Sequence, residues 1–156
     1  MTTRLHSVFT SGSAVPARVI NIAVDTAYVY SQTSGPYTST GIYMMDNNVL
    51  GGSTGQGTDE LTSLVTAGFQ VGFNVFPITE MSGNGSSVEI VAFEISNGTN
   101  IFGNFGFPTQ HKKGSYQWIG TAAVQGNCTY QIKIGVSISG FPMKYYWWDP
   151  FLHCSA

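Results

Sequence analysis

Cys128-Thr129-Tyr130-Gln131-Ile132-Lys133-Ile134-Gly135-Val136-Ser137-Ile138 is the stretch that decides the fold of this chain. Cys128, Tyr130, Ile132, Ile134, Val136 and Ile138 occupy every second position, with Thr129, Gln131, Lys133 and Ser137 between them. Successive side chains of a pleated strand point to opposite faces, so this spacing describes a strand with one face in a core and the other at the surface.

The same test extends outward in both directions. Phe69 to Phe76 alternates with Phe69, Val71, Phe73 and Val75 on one side. Val19 to Val24 puts Ile20, Ile22 and Val24 together, and Gly41 to Met45 reads as a strand ending in the turn-prone Asp46-Asn47-Asn48. Val49-Leu50 offers a short return strand. Val88 to Ile95 is apolar on both faces apart from Glu89 and Glu94, which reads as a more central strand. Ser115 to Val124 is another, and Lys144 to Trp148 closes the series before Pro150. Ser31 to Thr40 reads as a loop, and Leu61 to Ala67 is where a short helix competes with a strand. About eight strands with no 3.6-residue period predict an all-β chain. The expected architecture is an antiparallel β-sandwich with Greek-key or jelly-roll links and at most one short helix. Residues 1–156 read as a single domain, with 1–17 a polar lead-in ending at Pro16.

Composition narrows the function classes. Charged residues are 9% of the 156, against roughly 25% in an ordinary soluble domain. Long surface helices, which need Glu, Lys and Arg, are excluded on that ground. Net charge is −2 and Lys112-Lys113 is the one basic pair, so no phosphate-binding stripe exists and nucleic acid is not expected as a partner. No apolar run is long enough for a membrane span, and Met1 to Ser7 has no apolar signal core. The expectation is a cytoplasmic protein, free or in inclusions, with export by a non-classical route as the alternative. Cys128 and Cys154 are then thiols, Cys128 buried in its strand and Cys154 in a tail after the last one. The Asn84, Asn97 and Asn127 sequons read as chance matches in a chain rich in Asn, Ser and Thr.

After the second strand runs Val49-Leu50-Gly51-Gly52-Ser53-Thr54-Gly55-Gln56-Gly57-Thr58-Asp59-Glu60-Leu61. Gly51-x-Ser53-x-Gly55 fits the nucleophile elbow of serine hydrolases, but that elbow needs a strand-to-helix turn in an α/β chain. The histidines that would serve Ser53 as base are His6, His111 and His153, all in expected loops or termini. The phosphate-loop pattern fails as well, for want of a lysine. The plainer reading is a loop whose glycines allow positive φ, closed by Thr58 and Asp59 on nearby amides. No catalytic residue is assigned, and a hydrolase using Ser53 stands as a remote alternative.

Metal ligands do not converge in the sequence: Asp25, Asp46, Asp59, Glu60 and Asp149 are dispersed, and no cofactor is expected. Only loop carboxylates and Asn oxygens are on offer to Ca²⁺. For a ligand such as a glycan the candidates are the polar turn Asp46, Asn47, Asn48 and one pair of the aromatic run Tyr145-Tyr146-Trp147-Trp148. One pair enters the core; Tyr146 and Trp148 are assigned to the exposed side. There they form a subunit interface or a stacking platform for sugar rings. Low surface charge favours the interface, hence a homodimer through this strand.

The chain also resembles the AidA/PixA family of bacterial inclusion-body proteins, over about Val19 to Leu152. The resemblance is carried by Val24-Asp25-Thr26, Tyr43-Met44-Met45 and Gly55-Gln56-Gly57-Thr58-Asp59-Glu60-Leu61. Ala67-Gly68 before a strand ending near Pro77, and Tyr146-Trp147-Trp148-Asp149-Pro150, complete it in the same order. It implies a non-enzymatic bacterial protein under quorum-sensing or stationary-phase control, self-associating, in some members forming inclusions or meeting a eukaryotic host. It implies no catalytic residues. With five Met, this chain departs from the methionine-rich members. A carbohydrate-binding lectin is the alternative from a different class.

Overall fold

The computed structural model describes residues 16–32, 37–78, 85–111 and 118–156. Most of the lead-in, the Lys112-Lys113 pair and Asn84 lie outside them. The elements in chain order are β1 (Arg18–Val24), α1 (Thr26–Ser31), β2 (Ile42–Asp46), β3 (Thr62–Thr66), β4 (Gln70–Pro77) and β5 (Ser87–Gly98). After a 3-10 turn at Gly103–Phe105 come β6 (Thr109–Gln110), β7 (Trp118–Thr121), β8 (Gly126–Ser137), β9 (Lys144–Trp148) and β10 (Phe151–Ser155). One sheet has the order β2-β1-β4-β7-β6 and the second β3-β10-β8-β5, with β9 also paired to β8.

The two sheets close on a shared core. Ile20, Ile22 and Val24 of β1 and Val71, Phe73 and Val75 of β4 face Tyr130, Ile132 and Ile134 of β8, all buried. Phe73 meets Phe93 at 4.8 Å and Tyr130 at 6.0 Å between ring centres, joining the layers. The alternation read in β1, β4 and β8 is the pattern of this burial.

Several expectations are corrected. There are ten strands among the described residues, and the sheets are mixed: β1 runs parallel to β4, and β10 parallel to β3. The chain between β1 and β4 passes through β3 in the other sheet, and a parallel pair needs such a crossover because a tight hairpin can join only antiparallel strands. Val49-Leu50 is a turn, with Leu50 fully exposed. Leu61 to Ala67 yields the strand β3, while the helix is α1, capped at its start by Asp25, whose Oδ1 accepts from the Tyr28 amide at 3.1 Å. β5 is an edge strand. Its apolar residues look two-sided because a register shift between Ile90 and Ala92 changes the inward phase from Val88 and Ile90 to Phe93.

Trp148 does not end the series either. Asp149-Pro150 interrupts pairing, yet the Pro150 carbonyl still accepts from the Tyr130 amide at 3.0 Å, and β10 resumes along the same flank of β8. Cys154 is therefore in a strand rather than a tail. Both thiols are free and buried, and burial pushes both pKa values up. Titration of native protein with a thiol reagent should find two slow groups that react together only on unfolding. A fast native thiol would contradict this placement.

Candidate functional site

Asp46 closes β2 as the hub of a polar network. Its Oδ1 accepts from the Asn48 amide at 3.0 Å and from Gln56 Nε2 at 2.7 Å, and its Oδ2 from Ser63 Oγ. Gln56 reciprocates, its Oε1 accepting from the Asp46 amide at 2.8 Å. Burial alone would raise this carboxyl's pKa; hydrogen bonds from Ser63, Ser53, Gln56 and the Asn48 amide outweigh it and hold it below the usual carboxylate range. Asn47 Oδ1 accepts from the Val19 amide and from Arg18 Nη1, at 3.0 and 2.9 Å. Asn48 Nδ2 donates to Ser53 Oγ at 3.2 Å. Asp46, Asn47 and Asn48, singled out as ligand candidates, thus spend their side chains on holding the loop.

Ser53 belongs to the same network. It is 6% exposed, and its Oγ accepts from the Leu64 amide at 3.1 Å. The acid beside it is Asp46, whose low pKa makes it a weak general base. His153 is engaged with Asn127, and His111 stands exposed after β6. Gly55 explains the rest of the elbow-like spacing: it sits at φ +80°, and a Cβ there would meet the Glu60 carbonyl oxygen at 2.6 Å. Thr58 Oγ1 donates to the Gly55 carbonyl at 2.7 Å and accepts from the Glu60 amide at 3.2 Å. Asp59 is half-buried, and burial first, then Glu60 and Asp149, raise its pKa. Among the described residues no three His, Cys, Asp or Glu side chains converge as a metal site would require.

Tyr146 and Trp148 are the inward pair of β9, at 2% and 0% exposure, and not the exposed one. The Tyr146 hydroxyl reaches the Gln32 and Tyr30 carbonyls at the end of α1, at 3.1 and 3.3 Å. These bonds offset the cost of drying the Tyr146 hydroxyl. Tyr145 and Trp147 therefore face outward.

They do so on the outer face of the second sheet, which reads in rows. Tyr145 pairs with Gly135, Trp147 with Lys133 and Phe151 with Thr129. On the other side of β8, Ala92 pairs with Lys133, Glu94 with Gln131 and Asn97 with Thr129. A Cβ on Gly135 would meet Met143 Sδ at 2.6 Å, so the glycine leaves room for the side chains lying across it. Two depressions follow β8 along this face. One of about 310 Å³ is lined by Ala92, Phe93, Glu94, Gln131, Lys133 and Trp147. The other, of about 340 Å³, includes Asn97, Asn127, Thr129, Phe151 and His153.

The outer face of the first sheet differs. Tyr43, Ala23 and Phe76 form one row, Met45, Asn21 and Asn74 the next, and Val19, Gly72 and Ile119 a third. None of these nine is charged, and Tyr43, Met45 and Phe76 are 41%, 40% and 36% exposed.

Among curated proteins none matches this chain. A solved structure, the crystal structure of the inclusion body protein PixA from Burkholderia cenocepacia J2315, superposes with a TM-score of 0.71 at 16% identity, covering 94% of this chain and 99% of that one. The resemblance drawn from the sequence is therefore borne out in the fold. No helix of the described residues is long and apolar enough to cross a membrane. The match of residues 18–144 to a family model places the chain in the family described as a domain of unknown function, DUF8788.

Proposed function

We propose that the protein is a non-catalytic, self-associating β-sandwich protein of the cytoplasm, and that its copies meet through the outer face of the first sheet. The observation that carries this reading is the uncharged set of rows around Tyr43, Met45 and Phe76. A two-fold axis would bring the same uncharged patch of each copy together, with no like charges opposed. Exposed apolar area rimmed by polar residues commonly marks such contacts. The Tyr145–Trp147 strand is the weaker choice, because Lys133, Glu94 and Gln131 beside it would have to be dried. A protein of the same fold is known as an inclusion body protein, a description that assembly fits. The engagement of Ser53 in the loop network supports the absence of catalysis at that residue.

Sedimentation velocity tests the proposal. Wild-type protein should form dimers or larger species at micromolar concentration, and the Tyr43→Lys, Phe76→Lys double variant should be monomeric with a native circular dichroism spectrum. A monomeric wild type, or a variant that still assembles, would overturn it.

A further inference from the structure

We propose that the outer face of the second sheet is a binding groove for a neutral oligosaccharide, independent of the assembly face. Three features converge along β8. Aromatic rings stand at successive outward positions of one flank: Tyr145, Trp147 and, after the Asp149-Pro150 break, Phe151. Tyr37 packs edge-on against Trp147, with ring centres 5.3 Å apart at 80°, and its hydroxyl donates to Asp149 at 3.2 Å. This arrangement steadies the indole. The polarised C–H face of a pyranose ring suits the negative face of such rings.

Among the described residues, the polar groups between the rings are unspent. The side chains of Glu94 and Gln131 make no hydrogen bond with another described residue, and the Lys133 ammonium only faces the Tyr145 ring at 5.3 Å. The contrast with Asp46, Asn47 and Asn48, all consumed by their loop, separates a presented group from a structural one. A carboxylate accepts from hydroxyls, and a primary amide both donates and accepts, as sugar hydroxyls demand. Glu94 and Lys133 contribute opposite single charges to the depression they line, which favours a neutral ligand over a phosphorylated or sulfated one. The two depressions, of about 310 and 340 Å³, reach the lower bound of ligand sites. Gln131 and Thr129, roughly 7 Å apart as alternate residues of one strand, connect them. That run fits a linear chain of sugars better than a single compact molecule.

Tryptophan fluorescence and calorimetry with chitotetraose, cellotetraose and maltotetraose, followed by an array of neutral and anionic glycans, would decide the matter. At least one neutral glycan should bind wild-type protein and change the indole emission. Trp147→Ala and Gln131→Ala should each weaken that binding at least about tenfold while retaining native circular dichroism. Phe105→Ser, at the 3-10 turn, should bind as wild type does. Binding of none of the neutral glycans, binding of anionic glycans alone, or binding that survives both groove variants would each overturn the assignment. The assembly face lies on the other sheet, so monomeric wild-type protein that binds sugar would reject self-association and leave this groove standing.

Discussion

Trp148→Ala should produce the largest loss of stability of any single aromatic truncation in β9. The ring is fully buried, and its Nε1 lies 3.1 Å from Met44 Sδ, so the side chain spans from β9 in one sheet to β2 in the other. Removing a core tryptophan costs about 3–5 kcal/mol, part of it for the cavity left behind. The whole fold is worth only about 5–15 kcal/mol. At about 2–4 °C per kcal/mol for a chain of this size, the midpoint should fall by roughly 6–20 °C. Trp147→Ala, one residue away and outward, removes its contact with Tyr37 and should cost far less. Thermal melts of the two variants form the test; equal losses would show that the inward and outward faces of β9 have been misassigned.

Asp46→Ala should be the most damaging change among the loop residues, at about 2–4 kcal/mol. The substitution strands the Gln56 amide, the Ser63 hydroxyl and the Asn48 amide together, and hydrogen bonds to a charged group are worth about 1.5–3 kcal/mol each. Some of those donors reach water after the change, which keeps the total below their sum. The effect carries a pH signature. The folded pKa lies below the unfolded one, so this carboxylate contributes its full stability above the unfolded value. That contribution disappears as pH falls through the still lower folded value. The gap in melting temperature between wild type and Asp46→Asn should therefore be constant near neutrality and shrink below about pH 4. A gap that persisted unchanged at pH 2 would remove the charge from the explanation.

The strands that could be read directly were those with one buried face: in β1, β4 and β8 the alternation of Ile20-Ile22-Val24, Val71-Phe73-Val75 and Tyr130-Ile132-Ile134 is the core itself. Orientation was not legible, because a two-residue period is the same in parallel and antiparallel pairs. β3 was too short for its period to exclude a helix, and Pro150 hid β10 by ending one run just before another began. The bulge in β5 mixed two phases and gave an edge strand the appearance of a central one. At β9 the period showed that Tyr145 and Trp147 oppose Tyr146 and Trp148, but not which pair goes inside. Inside, the Tyr146 hydroxyl meets the Tyr30 and Gln32 carbonyls, groups at the end of a helix far away in sequence. Nor is it legible in the sequence whether the Asp46 carboxylate is free or spent, which depends on Gln56 and Ser63, partners that only the folded chain brings near.

The position of β10 has a kinetic consequence. Five residues are wedged between β3, drawn from the first half of the chain, and β8. No local turn delivers them to β3, so loop-closure entropy must be met before either register rewards it, and topologies of this kind fold in milliseconds to seconds rather than microseconds. While that search lasts, β3 and the near end of β8 present open edges that match a strand carried by every other copy in solution. Strand exchange between nascent copies then competes with closure within one. The outcome turns on concentration during folding, not on the depth of the native minimum.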